Sequence, residues 1–444
     1  YNVHDPSCCK LGDYYYMYST DAILGENRKE AEEKNVPLGF IQVRRSKDLV
    51  KWEFIGWAFP EIPHEAVEWV RSHADGKGAT NIWAPYIIPF GDKYRLYYCV
   101  SAFGLKTSYI GLAESASPEG PWMQRGCVVK TDATSVMNAI DPSIIADSAT
   151  GKWWMHYGSF FGGLYCVELN PETGLPVQEG DQGHLIARRA TYWKDNLEAP
   201  EIIYNPELKQ YYLFVSYDPL MTTYNVRVGR SDKAEGPFVD YFGVELKNTT
   251  NNFPILTAPY RFNNHPGWAG TAHCAVFTSD EGQYFMAHQG RLSPHNQMMD
   301  LHLRQVFFTS DGWPVVSPER YTGSASRKFS AADIVGEWEI IRVQEPAYER
   351  QLQAGQILWG EGQLKNEEWN VSCTLSLKKD GQLDENKGYW KFAERGQLLS
   401  LTLNGESVDN LLVFAGHDWE NETETVLFTG LDSRGRSVWG KRTK

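Results

Sequence analysis

The sequence predicts an all-β protein in which a five-bladed β-propeller is followed by a small antiparallel β-barrel or sandwich. Three observations support this prediction. One unit, made of an apolar strand, a Gly- or Pro-bearing turn and an aromatic strand, recurs along the first part of the chain. Aromatic residues make up 14% of the 444 residues, which is a globular composition with an unusual weight of Trp, Tyr and Phe. After about residue 323 the unit stops recurring and a different strand pattern begins.

The recurring unit begins near residues 5, 83, 141, 198 and 271. In the third unit, for example, Asp141 precedes an apolar strand, a turn at Thr150-Gly151 and an aromatic run that starts at Trp153. The first unit also carries a long excursion over residues 21–80, in which 63–70 has a helical pattern. Hairpin repeats of roughly 40–50 residues are typical of propeller blades, because one blade cannot bury its faces alone. Five units therefore predict five blades over residues 1–323.

Residues 330–444 are predicted to form a second domain after a polar linker at 324–327. Strands are predicted in it at 337–343, 373–377, 397–403 and 425–428. Turns at Asp380-Gly381, Asn404-Gly405 and Arg434-Gly435 favour antiparallel hairpins between such strands. This pattern predicts a small up-and-down β-barrel or a sandwich.

Charge and hydropathy exclude several classes of partner. The net charge is −13, so a polyanion would be repelled over most of the surface and a nucleic-acid partner is not expected. No apolar run approaches the roughly 20 residues that a membrane-spanning helix needs. The seven cysteines lack CxxC spacing and most lie in apolar strands, which indicates buried hydrophobic side chains and argues against a zinc ribbon or a disulfide framework.

Three carboxylates recur in one setting, next to or near a proline just ahead of an apolar strand: Asp5, Asp141 and Glu198. Because the first strand of each propeller blade lines the central channel, side chains at equivalent blade starts are expected to converge at one mouth of it. A pair of carboxyl groups can hydrolyse a glycosidic bond, one as acid and the other as base or nucleophile. A third acid nearby would raise the pKa of the proton donor. Any one of these acids alone is more simply a turn starter, but the matched setting of all three favours a site.

Several sequence blocks carry a resemblance to a known family. Taken together and in this order, they resemble the signature blocks of glycoside hydrolase family 43, and within it the endo-α-1,5-L-arabinanases that have an extra C-terminal β-domain. The resemblance covers residues 1 to about 320, and the blocks are His4-Asp5-Pro6-Ser7, Asn81-Ile82-Trp83-Ala84-Pro85, Asn138-Ala139-Ile140-Asp141-Pro142-Ser143, Glu198-Ala199-Pro200 and Asp311-Gly312-Trp313-Pro314.

The resemblance implies a five-bladed propeller and hydrolysis with inversion of the anomeric configuration. It implies that Asp5 is the general base, that Asp141 is the pKa modulator and orienting acid, and that Glu198 is the general acid. Glu201, three residues further on, is a rival for the acid. Inversion requires the Asp5 and Glu198 carboxyl groups to lie roughly 6.5–9.5 Å apart, which leaves room for a water molecule.

Substrate contacts are expected around these acids. Aromatic planes pack against the apolar faces of sugars, and side-chain polar groups bind sugar hydroxyls. Core packing is the alternative for the aromatic residues, and turn or cap roles are equally plausible for the polar ones. The residues concerned are Trp83, Phe103 and Phe160 for stacking and His4, Asn138 and Ser159 for hydrogen bonding.

The resemblance also implies a metal site at His273, usually calcium with waters completing its shell. Calcium prefers oxygen ligands, and a lone imidazole is more often a hydrogen-bonded core residue. The chain reads Thr271-Ala272 before this histidine, where similar arabinanases often have Pro-Gly.

The sequence thus predicts an enzyme that cleaves internal α-1,5-L-arabinofuranosidic linkages in arabinan, a plant cell-wall polysaccharide, or in arabino-oligosaccharides. Two alternatives stay open: an exo-acting α-L-arabinofuranosidase or β-xylosidase on the same fold, and a carbohydrate-binding propeller without catalysis. The intact acid triplet argues against the latter. We expect a monomer that is secreted, periplasmic or at the cell surface, although residues 1–3 do not read as a signal segment.

Overall fold

The computed structural model describes residues 3–20, 25–35, 38–190, 195–248, 251–295, 298–346, 364, 368–384 and 387–443. Strands dominate these residues, and the helices are three in number: α1 Gly25–Glu33, α2 His64–His73 and α3 Ala331–Ile334. Among the described residues, no helix combines the length and the apolarity needed to cross a membrane. The helical pattern at 63–70 is confirmed by α2, which buries Ala66 and Val70 against the first two sheets.

Four sheets contain four strands each, and every strand pairs antiparallel with the next one along the chain. This consecutive order follows from short hairpin connections, which place each strand beside its predecessor. The strands are β1 Ser7–Leu11, β2 Tyr14–Ser19, β3 Phe40–Ser46 and β4 Glu53–Phe59; β5 Trp83–Phe90, β6 Lys93–Ser101, β7 Ser108–Ser115 and β8 Met123–Thr131; β9 Ser143–Ala146, β10 Trp153–Tyr157, β11 Leu164–Leu169 and β12 His184–Ala187; β13 Leu197–Asn205, β14 Gln210–Tyr217, β15 Asn225–Ser231 and β16 Ile255–Thr257.

A further sheet repeats this order and adds short strands at one side. Its main strands run consecutively and antiparallel, and β20 also pairs with a small strand that precedes it. The strands are β17 Tyr260–Arg261, β18 Trp268–Ala269, β19 Cys274–Thr278, β20 Tyr284–Leu292, β21 Asp300–Phe308 and β22 Pro314–Val316.

Apolar side chains fill the space between successive sheets. Separate cores join the first sheet to the second, the second to the third, the third to the fourth and the fourth to the last. A further core returns from the last sheet to the first, where Phe277 and Phe285 pack with Tyr15 and Met17. The all-β class and a propeller-like arrangement are therefore confirmed, whereas the count of five blades stays a prediction.

The C-terminal strands form one seven-stranded antiparallel sheet in the order β25-β23-β30-β29-β28-β27-β26. Isolated bridges from Leu377 to Leu383 and from Gln382 to Tyr389 curl its two edges toward each other, which gives a half-barrel around Trp338 and Phe428. The barrel-like expectation is thus confirmed in outline, and the boundaries 1–323 and 330–444 stay a prediction. The strands are β23 Gly336–Arg342, β24 Asn370–Val371, β25 Cys373–Leu377, β26 Gly388–Ala393, β27 Leu398–Leu403, β28 Glu406–Asp418, β29 Thr423–Leu431 and β30 Ser437–Arg442.

The half-barrel is attached to the last propeller sheet by strand pairing and by buried side chains. Strand β24 pairs in parallel with β17. Trp439 of β30 packs edge-on against Tyr260 at a ring distance of 5.4 Å. The buried ammonium of Lys441 forms ion pairs with Glu319, which follows β22, and with acids at the end of β28. All seven cysteines are free, and Cys373 is the one that is exposed.

Candidate active site

Four sheets begin with the same unusual backbone conformation. The residue directly before the proline has a positive φ in each case: 46° at Asp5, 40° at Ala84, 58° at Asp141 and 57° at Ala199. Such values are uncommon for residues other than glycine, and they concentrate at functional sites. The shared conformation makes Asp5 and Asp141 structurally equivalent. Glu198 lies one position earlier, where the second sheet carries Trp83.

Asp5 is held by groups that stabilise its ionised form. Its Oδ2 accepts a hydrogen bond from the Thr20 hydroxyl at 2.8 Å, and its Oδ1 lies 3.2 Å from His273 Nδ1. His4 Nδ1 lies 3.4 Å from Oδ2. Burial alone would raise the pKa of Asp5, but His4, His273 and Thr20 together lower it below the usual range of an aspartate. Asp5 is therefore ionised at neutral pH, as a general base must be.

Asp141 has the opposite electrostatic character. Its side chain is buried, and its Oδ2 accepts a hydrogen bond from the Ala199 backbone amide at 3.2 Å. Burial raises the pKa of Asp141 well above the usual value, and the charges of Glu198 and Asp5 raise it further, while His273 opposes the shift. The hydrogen bond to Ala199 fixes Asp141 next to the backbone of the fourth sheet, one residue from Glu198.

Glu198 is bound through both carboxyl oxygens. Ser159 donates its hydroxyl to Oε2 at 2.6 Å, and Tyr224 donates its phenol to Oε1 at 2.7 Å. A break in the β13–β14 register between Glu198 and Glu201 accompanies this placement, and such bulges commonly re-aim a side chain at an active site. Burial raises the pKa of Glu198, the two hydroxyls oppose this, and Asp5 raises it again. Glu198 therefore keeps its proton to higher pH than an exposed glutamate.

His273 connects the three acids electrostatically. Burial lowers the pKa of this imidazole, but its hydrogen bond to Asp5 and the charges of all three acids raise it to about 9. The three sequence-predicted acids are thus brought together with the predicted metal ligand: Asp5 contacts His273 directly, and Asp141 binds the backbone amide next to Glu198.

Glu201, the rival acid, has a different environment. It accepts hydrogen bonds from the Val276 backbone amide at 2.9 Å and from the Ser143 hydroxyl at 2.8 Å, which tie β13 to β19 and β9. Burial raises the pKa of Glu201 to about 7, and His273 is the one member of the acid site whose charge affects it. These contacts suit a carboxyl group that joins three sheets better than one that faces a substrate.

The residues predicted to stack on sugars are a Trp83–Phe103 pair and Phe160, which lies beside the start of β13. The Trp83 and Phe103 rings meet edge to face with centroids 6.2 Å apart, and the Trp83 indole donates to Asn81 at 2.7 Å. Phe103 is 45% exposed, which leaves much of its ring open to solvent. Phe160 is half-buried and its backbone amide donates to Leu197, next to Glu198. Stacking on a sugar stays a prediction for these three residues.

The predicted polar contacts divide into two groups. His4 and Ser159 touch the acids themselves, since His4 lies beside Asp5 and Ser159 binds Glu198. Burial lowers the pKa of His4 to about 4, so its imidazole is neutral at pH 7. Asn138 is buried, and its Oδ1 accepts the Ser108 hydroxyl at 2.6 Å. Direct hydrogen bonds from these side chains to a sugar stay a prediction.

Two residues that contact the acids were not predicted from the sequence. Thr20 binds Asp5, and Tyr224 binds Glu198. Each follows the end of a strand or lies in a connection, and neither belongs to a motif. No signal in the sequence alone could have separated them from the other threonines and tyrosines of the chain.

The side chains around His273 offer few of the ligands that a calcium ion needs. Calcium binds six to eight oxygen ligands, whereas His273 offers one imidazole whose Nδ1 is engaged with Asp5. Among the described residues, the acidic group close enough to share a cation is Glu319, Asp418 and Glu420, far along the chain from the site. Lys441 places its ammonium among these acids, 2.9 Å from Glu319 and 3.0 Å from Asp418, and so already supplies the cation. Neither donor set fits calcium without many added waters.

Comparison with known proteins identifies the family. The family model described as "Glycosyl hydrolases family 43" matches residues 1–314, and one described as "C-terminal lipocalin-like domain" matches residues 318–440. The chain belongs to glycosyl hydrolase family 43. It is therefore a glycoside hydrolase, and the acid site described above lies within the part of the chain that the family model covers.

Individual relatives match all or most of the chain. An extracellular endo-α-(1→5)-L-arabinanase of Thermotoga petrophila is 29% identical, and the match covers 100% of this chain and 94% of that protein. The crystal structure of an endo-1,5-α-L-arabinanase from Thermotoga petrophila superposes with a TM-score of 0.81 at 28% identity, covering 100% of this chain and 98% of that one. An extracellular exo-α-(1→5)-L-arabinofuranosidase of Cellvibrio japonicus is 30% identical over 74% of this chain and 90% of its own length.

Proposed function

We propose that this protein is an inverting glycoside hydrolase that cleaves internal α-1,5-L-arabinofuranosidic linkages in arabinan. The observation that carries the proposal is the gathering of Asp5, Asp141 and Glu198 around His273, with the pKa values of Asp5 and Glu198 shifted in opposite directions. Two carboxyl groups whose environments separate their pKa values are suited to act as base and acid in one reaction.

In the proposed reaction, ionised Asp5 accepts a proton from a water molecule as the water oxygen attacks the anomeric carbon. The bond from that carbon to the leaving-group oxygen breaks, and Glu198 donates its proton to the departing oxygen. Asp141 interacts electrostatically with Glu198, which is the basis for its proposed role as pKa modulator, and it is oriented by the Ala199 amide. Attack and departure on opposite faces of the sugar invert the anomeric centre.

Arabinan as the substrate and internal cleavage as the mode are inferred from the relatives. Endo-arabinanases from Thermotoga petrophila and Bacillus subtilis match 100% and 99% of this chain, including the half-barrel. The exo-acting relative from Cellvibrio japonicus matches 74%. The two relatives that match the chain over both domains are endo-arabinanases, which favours internal cleavage. Exo-acting hydrolysis by the same three acids is the second candidate.

Four finer features complete the proposal. Five consecutive antiparallel meanders, each packed against the next sheet through a hydrophobic core, support five blades. The relatives are named extracellular, which supports secretion of this protein as well. A monomer is expected, and light scattering during gel filtration would test it. A calcium ion beside His273 is part of the proposal because the family resemblance implies it. Water molecules would supply the oxygen ligands that the side chains lack.

The test is a time course of product sizes from linear α-1,5-arabinan. A mixture of oligosaccharides early in the reaction is expected for the endo mode. Arabinose as the sole early product would assign the exo mode, and xylose from xylan would assign a β-xylosidase. No release from either polysaccharide would contradict hydrolysis and leave a carbohydrate-binding protein.

A further inference from the structure

Thr20 connects the proposed base to the neighbouring sheet. The residue is 3% exposed and directly follows β2. Its hydroxyl contacts two groups: it donates to Asp5 Oδ2 at 2.8 Å and accepts from the Ala84 backbone amide at 2.8 Å. Its own backbone amide donates to the His4 carbonyl at 2.9 Å. Thr20 thus links the start of the first sheet to the start of the second.

The direction of these hydrogen bonds is fixed by chemistry. A backbone amide can only donate, so the Thr20 oxygen must accept from Ala84. The hydroxyl has one proton, which is then directed at Asp5 Oδ2. Thr20 is consequently an obligatory donor to the carboxylate, and it cannot turn away without leaving the buried Ala84 amide without a partner.

The third and fourth sheets provide an internal comparison. Ala199 is the structural counterpart of Ala84, and Asp141 is the counterpart of Asp5, as the positive φ values indicate. There, the Ala199 amide binds Asp141 Oδ2 directly at 3.2 Å, with no hydroxyl between them. In the first pair of sheets, the Thr20 oxygen occupies the place of that carboxylate oxygen. The hydroxyl therefore separates Asp5 from the amide that its counterpart binds directly.

We propose that Thr20 is a positioning residue that holds the Asp5 carboxylate away from the Ala84 amide and so aims it at the attacking water. This inference rests on the proposed role of Asp5 as the general base. Without the hydroxyl, the carboxylate can move onto the Ala84 amide in the way that Asp141 binds Ala199. The base would then be displaced from the water, although the substrate contacts would stay in place.

The test compares Thr20→Val, which keeps the shape but removes the hydroxyl, with Thr20→Ser, which keeps the hydroxyl. Using linear arabino-oligosaccharides, we expect kcat of Thr20→Val to fall about 100-fold, since a misplacement of about 1 Å can cost that much. The KM should change less than about threefold, and Thr20→Ser should retain kcat within about threefold of the wild type, because its oxygen bridges the same atoms. Thr429→Val is the matched control, since it removes a buried hydroxyl that donates to the Val316 carbonyl in the half-barrel interface.

The outcomes separate this inference from the proposed function. Wild-type kcat in Thr20→Val, or an equal loss in folded Thr20→Ser, would overturn the positioning role while the wild-type enzyme still cleaves arabinan. A wild-type protein that releases no sugar would instead contradict the function itself. If circular dichroism shows that Thr20→Val does not fold, Thr20→Ala takes its place with the same criteria, because it adds no atom to the core.

Discussion

Lys441→Met is predicted to destabilise the junction between the propeller and the half-barrel. The Lys441 side chain is fully buried, and its ammonium donates to Glu319 and Asp418 and also to Glu420. Three acids share this one ammonium, so the cluster has an excess of negative charge that protonation of an acid reduces. Burial raises the pKa of Glu319 to about 8 despite the nearby lysine, which identifies Glu319 as the acid that holds the proton.

The size of the effect follows from the loss of the buried ammonium that these three acids share. Removing one partner of a buried ion pair costs about 3–5 kcal/mol, because the other charges stay buried without compensation. If the 444 residues unfold as one unit with an entropy of about 2.1 cal/mol/K per residue, this lowers the Tm by about 3–5 °C. If the half-barrel unfolds separately, its own transition moves by more, because its unfolding entropy is smaller.

The raised pKa of Glu319 determines how the stability of the folded protein changes with pH. Glu319 has a folded-state pKa of about 8, above the 4.5 of an unperturbed glutamate, so the folded state binds its proton more tightly. The stability from this group is present below about pH 4.5 and is lost as pH rises to about 8. The Lys441→Met loss should therefore be larger at pH 8 than at pH 5, where Glu319 is protonated and needs no cation.

Urea unfolding and differential scanning calorimetry at both pH values measure these changes. Lys391→Met is the control, since Lys391 is exposed beside Tyr389 and should change stability by less than about 0.5 kcal/mol. A Lys441→Met loss below about 1 kcal/mol at pH 8, or a larger loss at pH 5, would refute the reasoning about the buried cation.

Three further predictions concern the site. Glu198→Gln should lower kcat on arabinan by about 10²–10⁴-fold, as expected for loss of a general acid, while Glu201→Gln should lower stability with turnover near wild type. The reverse pattern would assign the acid to Glu201. Tyr224→Phe removes a hydrogen bond to ionised Glu198, which raises the pKa of that acid, so the alkaline limb of the kcat/KM profile should move to higher pH. A move to lower pH would mean that the phenol stabilises the protonated form. If calcium binds at His273, exhaustive chelation should lower activity and added calcium should restore it, whereas unchanged activity in protein that contains no metal would remove calcium from the account.

Periodicity was enough to predict which acids meet. Asp5 and Asp141 both stand directly before a proline at the start of a repeat, and the structure gives them the same positive φ. The repeat predicts their convergence, because equivalent blade starts are expected at the same end of a propeller. Glu198 deviates by one position, and a break in strand register between Glu198 and Glu201 accompanies its approach to the other acids.

The hydrogen-bond partners of the three acids were harder to predict from the sequence than the positions of the acids themselves. Ser159 is predicted to bind sugar hydroxyls, but its hydroxyl binds Glu198, and a sugar contact would have to form besides this bond. Thr20 and Tyr224 reach the acids from the ends of other strands, 15 and 26 residues away along the chain. Their roles depend on the conformation of connections, which hydrophobic periodicity does not encode.

The C-terminal domain illustrates the same limit. The alternating pattern predicts strands near β23, β25, β27 and β29, and all four form. Strand β28 runs over 13 residues, and its polar and exposed positions hide it from pattern recognition. The half-barrel itself arises from bridges such as Leu377 to Leu383 that join the edges of the sheet, and these depend on the twist of the whole sheet.

The anomeric configuration of the first product tests the central claim most directly. Proton NMR during hydrolysis of a linear α-1,5-arabino-oligosaccharide reports the anomer before mutarotation equilibrates it. With Asp5 activating water on the face opposite to the oxygen that Glu198 protonates, the β-anomer should appear first, and Glu198→Gln should abolish the signal. Initial formation of the α-anomer would mean that Asp5 acts as a nucleophile, and it would contradict the assignment of base and acid made from the geometry.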